Sequence, residues 1–222
     1  MRPKMLKFPF RYEERQPLLL DDVLYVPKRY EQHALWDKTE LKTRLSSFAE
    51  VCLEYCSGNG TWIAEKAKEN PGSLWIAVEK RFDRVQKIWA KKHNFSLSNL
   101  LIICGEAYTF THYYLEEMSV DRLFINFPDP WPKQKHAKHR LIQKPFTDEM
   151  ARIAKPSATV TFATDDEDYS LQMIHEMQKD PTWKSCFPDP FYITNWDSYG
   201  SSYFEDLWKS QGRTIRYIMF TK

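Results

Sequence analysis

The stretch EVCLEYCSGNGTWIAEKAKENPGSLWIAVE, Glu50 to Glu79, decides the fold. It opens with EVCLEY, a short and largely apolar run that breaks at Cys56-Ser57-Gly58-Asn59-Gly60. From Thr61 the apolar positions recur at helical spacing as far as Pro71-Gly72, a stop signal, and SLWIAVE then reads as a second buried strand. Neither strand alternates strictly between apolar and polar residues. Continuous apolar strands belong to a sheet covered on both faces, so strand, glycine turn, helix and strand here make one unit of a parallel sheet.

The same unit repeats outward. NLLIICG, VDRLFINF and SATVTFAT read as further strands, with helices expected over RFDRVQKIWAKKH, AYTFTHYYLEEM, FTDEMARIA and DDEDYSLQMIHEMQKD. The acids that open the last of these complement its dipole. At the tail, FYITNW and TIRYIMF read as strands on either side of a helix at YFEDLWKSQG. The expected fold class is α/β: a Rossmann-like, mostly parallel sheet of seven strands with an antiparallel C-terminal edge and helices on both faces. Residues 1–30 mix charge, proline and aromatics and are expected to form a basic arm, leaving one domain over residues 31–222. YEQHALWDKTELKTRL is expected to be helical.

A chain of 222 residues with 42% hydrophobic content supports one sizeable core. Its net charge of +2 is nearly balanced, but the positive charge is segregated. MRPKMLKFPFRYEERQP carries five Lys or Arg, EKRFDRVQKIWAKKH forms a second basic stretch, and PKQKHAKHR a third. Such patches point to a polyanionic partner met by one face. The four cysteines show no CxxC pairing, and three lie in apolar runs, which predicts reduced core thiols in a reducing compartment and no metal site. Without a signal-like or membrane-spanning apolar segment, a soluble cytoplasmic protein with no membrane association is expected.

The strand ends carry the chemistry. Ligands in open α/β sheets sit beyond the carboxyl ends of the strands, and four successive strands end near Glu54, Glu79, Glu106 and Asp129. Gly58 and Gly60 allow a ligand to approach the first turn closely, but GNGTWI lacks the third glycine of a dinucleotide fingerprint. An acid at Glu54 suits a cationic ligand better than a pyrophosphate. Glu79, 21 residues beyond Gly58, is placed to accept from two ribose hydroxyls, and Glu106 to meet the exocyclic amine of an adenine. Together these features favour S-adenosylmethionine, which carries a sulfonium and an ammonium and no phosphate. A nucleotide-dependent oxidoreductase and a non-catalytic RNA-binding module are the rivals. The acidic strand ends and missing glycine oppose the first, and the four aligned acids oppose the second.

The segment FINFPDPWPKQKHAKHRL, Phe124 to Leu141, closes the fourth strand. Two prolines make the loop rigid and preset the direction of Asp129, much as in the Asn-Pro-Pro-Tyr loops of amino-group methyltransferases, the nearest alternative within that class. Trp131 reads equally as a stacking surface or an apolar plug. Taken in order, LEYCSGNG, AVE, CGEA, NFPDPWPKQKHAKHRL and FATDDEDY resemble the tRNA (guanine-N7)-methyltransferase family, from about Phe48 to the end of the chain. The resemblance implies a class I methyltransferase fold, with methyl transfer from S-adenosylmethionine to the variable-loop guanosine of tRNA at position 46. It implies Glu54, Glu79, Glu106 and Asp129 as cofactor-site residues, with Asp129 also at the active centre. Lys133, Asp165 and SYFE (Ser202, Tyr203, Phe204, Glu205) are implied to contact substrate. Lys135, Lys138 and Arg140 are expected on the RNA backbone, and no obligate protein partner is expected. The first turn departs from the family's Leu-Glu-Ile-Gly-Cys-Gly: Cys56 stands where glycine is usual, and its Cβ disfavours a positive φ.

Overall fold

A computed structural model describes residues 1–200 and 202–222, apart from the side chains of Tyr12 and Gln134. Its strands are β1 (Leu18–Leu20), β2 (Val23–Tyr25), β3 (Glu50–Tyr55), β4 (Ser73–Glu79), β5 (Leu100–Cys104), β6 (Val120–Asn126), β7 (Ala154–Thr164), β8 (Lys184–Ser185) and β9 (Arg216–Thr221). The helices are α1 (Thr39–Ser46), α2 (Thr61–Glu69), α3 (Phe82–Asn94), α4 (Ala107–Tyr114), α5 (Lys144–Ile153), α6 (Glu167–Gln178) and α7 (Tyr203–Ser210). Among the described residues nine strands join one sheet in the order β1-β2-β5-β4-β3-β6-β7-β9-β8. Strands β3 to β7 pair in parallel, and β9 runs antiparallel between β7 and β8.

The mostly parallel α/β sheet with an antiparallel C-terminal edge is the expected one, with two corrections to its strands. The arm is not irregular throughout, because β1 and β2 form a hairpin whose second strand pairs in parallel with β5. Its two-residue turn, Asp21-Asp22, has positive φ at both positions (49° and 58°), the twist that a tight hairpin requires. Three-residue strands are too short to show a period, so LLL and VLY gave no signal. Asp22 then ties the turn down, pairing with Lys92 at 3.0 Å and with Arg44, while Asp21 accepts from Trp89 Nε1 at 2.6 Å.

The second correction is at FYITNW, which is not a strand. Phe191 takes a positive φ of 66°, which breaks the extended run, and the segment reaches the sheet only through a bridge from Ile193 to Tyr217. The place beside β9 is taken by β8, two residues at Lys184–Ser185.

Side chains alternate across β3. Leu53 and Tyr55 pack into one apolar layer with Ile76, Ile103, Phe110 and Phe162, and Cys52 into the other with Trp62, Trp75 and Phe124. Both layers are buried, which is why the strand reads as a continuous apolar run. From β3 the chain steps to β4 and β5 on one side, then returns to β6 on the other. The order of strands therefore reverses at β3, and the crevice opens at its carboxyl end. Among the described residues no helix is long and apolar enough to cross a membrane.

Candidate active site

Beyond Tyr55 the backbone turns through three left-handed residues in five: Cys56 (φ 60°), Gly58 (φ 58°) and Gly60 (φ 73°). Glycine is required at position 60, where an added Cβ would meet Ile88 Cγ1 at 2.7 Å and push α2 from α3. Cys56 adopts the conformation that its side chain disfavours. Burial, the first cause, pushes its thiol up to about 12, with Glu79 and Asp129 adding to the effect, so it stays protonated.

Glu79 ends β4 and clamps this turn. Its two oxygens accept from Gly58 N at 3.0 Å and Arg81 N at 2.8 Å, and Arg84 stands 3.7 Å away. Glu54 sits deeper, 2% exposed. Its Oε1 accepts from Asn126 Nδ2 at 2.8 Å, and Asn126 Oδ1 accepts from Tyr199 at 2.5 Å. Among the described residues Glu54 Oε2 has no hydrogen-bond partner. Burial pushes the Glu54 carboxyl up to about 7, against the lowering pull of Asn126. A buried carboxylate oxygen left unpaired is costly until a donor or a cation meets it, so this turn suits a cationic ligand.

A cavity of about 620 Å³ opens beyond these strand ends. It receives Glu79 from β4, Glu106 after β5, Asp129 after β6 and Asp165 after β7, together with Cys56 and Phe204. Glu106 begins α4 without capping it and lies 3.1 Å from Lys28. Asp129 is 70% exposed, with Lys80 Nζ 3.8 Å away. Asp165 pairs with Arg213, whose guanidinium lies 4.2 Å over Trp208. Trp208 stacks on Phe204, and Arg84 lies 5.9 Å over Phe204, so this part of the cavity lining is aromatic and cationic.

The Asp129 loop is fixed at several points. Phe127 and Trp131 both have positive φ (49° and 45°), and Phe127 N donates to Ala163 O at 2.8 Å. Arg140, expected on the RNA backbone, is turned inward instead. It donates to Pro130 O at 2.7 Å and to Gln172 Oε1 at 2.5 Å, with its guanidinium 4.9 Å over the Tyr169 ring. Lys133, Lys135 and Lys138 are exposed on the 3-10 turn Gln134–His139 and its cap.

Of the four SYFE residues only Phe204 lines the cavity. Ser202 caps α7, accepting from Glu205 N at 3.1 Å, an S-x-x-E start that also reads as a capping sequence. Tyr203 is exposed. Glu205 is buried, accepting from Tyr217 at 2.6 Å and Lys209 at 2.7 Å. Glu54, Gly58 and Gly60 lie behind the cavity wall rather than on it. Sequence reading missed Lys80 and Arg84, legible as the first turn after an acidic strand end, and Trp208 and Arg213, which no local pattern marks.

The matching family model is described as "Putative methyltransferase" and spans residues 49–218. A tRNA (guanine-N(7)-)-methyltransferase of Chlamydia abortus is 44% identical over 222 residues, covering 100% of this chain and 98% of the relative. One of the same name from Rubrobacter xylanophilus is 30% identical over 165 residues, 73% of this chain and 72% of that one. Among solved structures, the 16S rRNA methyltransferase KamB superposes with a TM-score of 0.63 at 19% identity, over 89% of this chain and 97% of its own. At that identity the likeness speaks for the fold alone.

Proposed function

We infer the reaction from one premise: the chain belongs to the tRNA (guanine-N7)-methyltransferase family. It is an enzyme that transfers a methyl group to N7 of a guanine in tRNA. We propose S-adenosylmethionine as the donor and the variable-loop guanosine at position 46 as the target, in a cytoplasmic enzyme working without an obligate protein partner. The observation that carries this reading is one cavity fed by four successive strand ends, with Glu79, Glu106, Asp129 and Asp165 inside it.

Glu79 and Glu106 would hold the donor, with Glu54 placing its charge behind the wall and the Gly58–Gly60 turn carrying the backbone close to the donor. When bound, the donor supplies an electrophilic methyl group on a sulfonium. Guanine N7 has an in-plane lone pair and no proton, so no general base is required and the protein's work is alignment and electrostatics. Asp129 accepts from the guanine edge and stabilises the positive charge that methylation leaves on the ring. Its prolines and Arg140 set its direction beforehand, so little reorganisation accompanies reaction. Asp165, held by Arg213, and Phe204, presented by the Ser202–Glu205 turn, bound the base on the other side. Lys133, Lys135 and Lys138 meet phosphate and position the RNA.

Incubation with methyl-labelled S-adenosylmethionine and unmodified tRNA, followed by borohydride and aniline cleavage, tests the reading. Strand scission at the variable-loop guanosine is expected. Label without scission there overturns the target, and no label overturns the reaction.

A further inference from the structure

Beside the main cavity lies a second, of about 370 Å³, of whose lining the reaction above uses only Glu106. Its walls are aromatic, and most come from the N-terminal arm. Phe8 is the hub, packed edge to face against Phe10 (4.9 Å), Phe82 (5.2 Å) and Tyr25 (5.6 Å). Phe8 is 38% exposed, although an anchor for the arm gains most by full burial. The rim is cationic. Arg15 lies 5.3 Å over Phe8, and Lys28 and Lys80 line the cavity, Lys28 pairing with Glu106 at 3.1 Å. The two cavities share Lys80, Gly105 and Glu106, and Lys80 is also the residue 3.8 Å from Asp129. Gly105 allows the contact: a Cβ there would meet Val26 Cβ at 2.7 Å and push the arm away from the sheet.

Aromatic walls under a cationic rim match a nucleotide, whose base stacks while its phosphate meets lysine. N7 of guanine faces the major groove, which is deep and narrow in A-form RNA, so the target base must leave its stack to react. Its neighbour then loses a stacking partner. We propose that the Phe8 cavity is a second nucleotide subsite, taking the base of the tRNA residue next to the methylated guanosine, with Lys80 and Lys28 on the intervening phosphate. This rests on the tRNA-methylating function inferred above.

The test is a protein–RNA cycle. Phe8→Leu keeps an apolar anchor for the arm and removes the ring. Its partner change is made on the RNA, an abasic residue on either side of the target guanosine in an otherwise intact tRNA. Removing one flanking base is expected to weaken wild-type binding by roughly ten-fold. Phe8→Leu is expected to lose about as much on intact tRNA and under about two-fold more on that abasic tRNA. Losses that multiply, or wild-type binding indifferent to both abasic residues, overturn the subsite while leaving methylation in place. An equal loss of S-adenosylhomocysteine affinity in Phe8→Leu also overturns it, assigning the cavity to the cofactor's adenine. If wild type neither binds nor methylates intact tRNA, the functional reading falls first and the subsite with it.

Discussion

Two carboxylates end adjacent strands of the sheet, and they are held in opposite ways. Glu54 closes β3 in a buried position, one oxygen bonded to the Asn126–Tyr199 chain and the other unpartnered among the described residues. Asp129 follows β6 in the open, 70% exposed, its direction fixed by two prolines, two left-handed neighbours and the Arg140 strut rather than by burial. Burial makes an acid sensitive to charge, whereas a rigid exposed loop makes it a matter of geometry. The first arrangement suits holding a permanent cation, and the second suits meeting a base that becomes cationic only on reaction.

The sharpest way to break this contrast is Asp129→Asn. The loop keeps its shape and loses its charge, so turnover is expected to fall roughly 100- to 1,000-fold, with S-adenosylhomocysteine affinity only modestly reduced. Single-turnover rates equal to wild type would remove Asp129 from the chemistry. Glu54→Gln tests the other side, because glutamine keeps the Asn126 bond and cannot ionise. In the wild type the folded carboxyl titrates near 7, against 4.5 for an exposed glutamate, so the folded state holds a proton that the unfolded state releases. Stability without ligand should fall as pH rises from about 4.5 to about 7, by on the order of 3 kcal/mol, and Glu54→Gln should flatten that slope. Affinity for the cationic cofactor should run the other way in wild type, rising through pH 7 as the carboxylate forms. Thermal midpoints and calorimetric affinities across that range would measure both, and parallel profiles for the two proteins would deny Glu54 its role.

Arg140 separates a strut from an RNA contact. Arg140→Lys keeps the charge but cannot span Pro130 O, Gln172 and the Tyr169 ring at once. If the strut reading holds, turnover drops about ten-fold, while the Michaelis constant for tRNA and the salt dependence of binding stay near wild type. A phosphate contact predicts the reverse split, with little change in turnover and a raised Michaelis constant for tRNA as the bidentate contact is lost.

The regions also differ in how far the sequence exposed them. Strands β3 to β7 were legible because each is a buried apolar run closed by an acid or a glycine, and their ends place Glu79, Glu106 and Asp129 in one cavity. That signal is local. The Asp21-Asp22 hairpin was hidden because three-residue strands carry no period and the ties that hold it, Arg44, Trp89 and Lys92, are distant in sequence. FYITNW misled because β-rich composition says nothing of the left-handed turn at Phe191. Arg140 misled for another reason. A basic run looks uniform in sequence, and only the fold shows that one of its cations faces Tyr169 while its neighbours face solvent.

That last distinction yields the smallest effect and the finest test. Lys135 and Lys138 are both exposed, on a turn whose backbone is closed by His136 N to Lys133 O at 2.7 Å and Arg140 N to Ala137 O at 3.0 Å. Neither side chain is needed to make the turn, so Lys135→Gln and Lys138→Gln should leave thermal stability within about 0.5 kcal/mol of wild type. Each lost phosphate contact should reduce the slope of log affinity against log salt by about one, and the double variant by about two. Arg140→Gln, which also removes a charge, should not move that slope at all. Three basic residues within six positions would then divide into two that feel the counterions of the RNA and one that does not. Wild-type slopes in all three variants would mean that the turn is a plain solvated surface and that the RNA is held elsewhere.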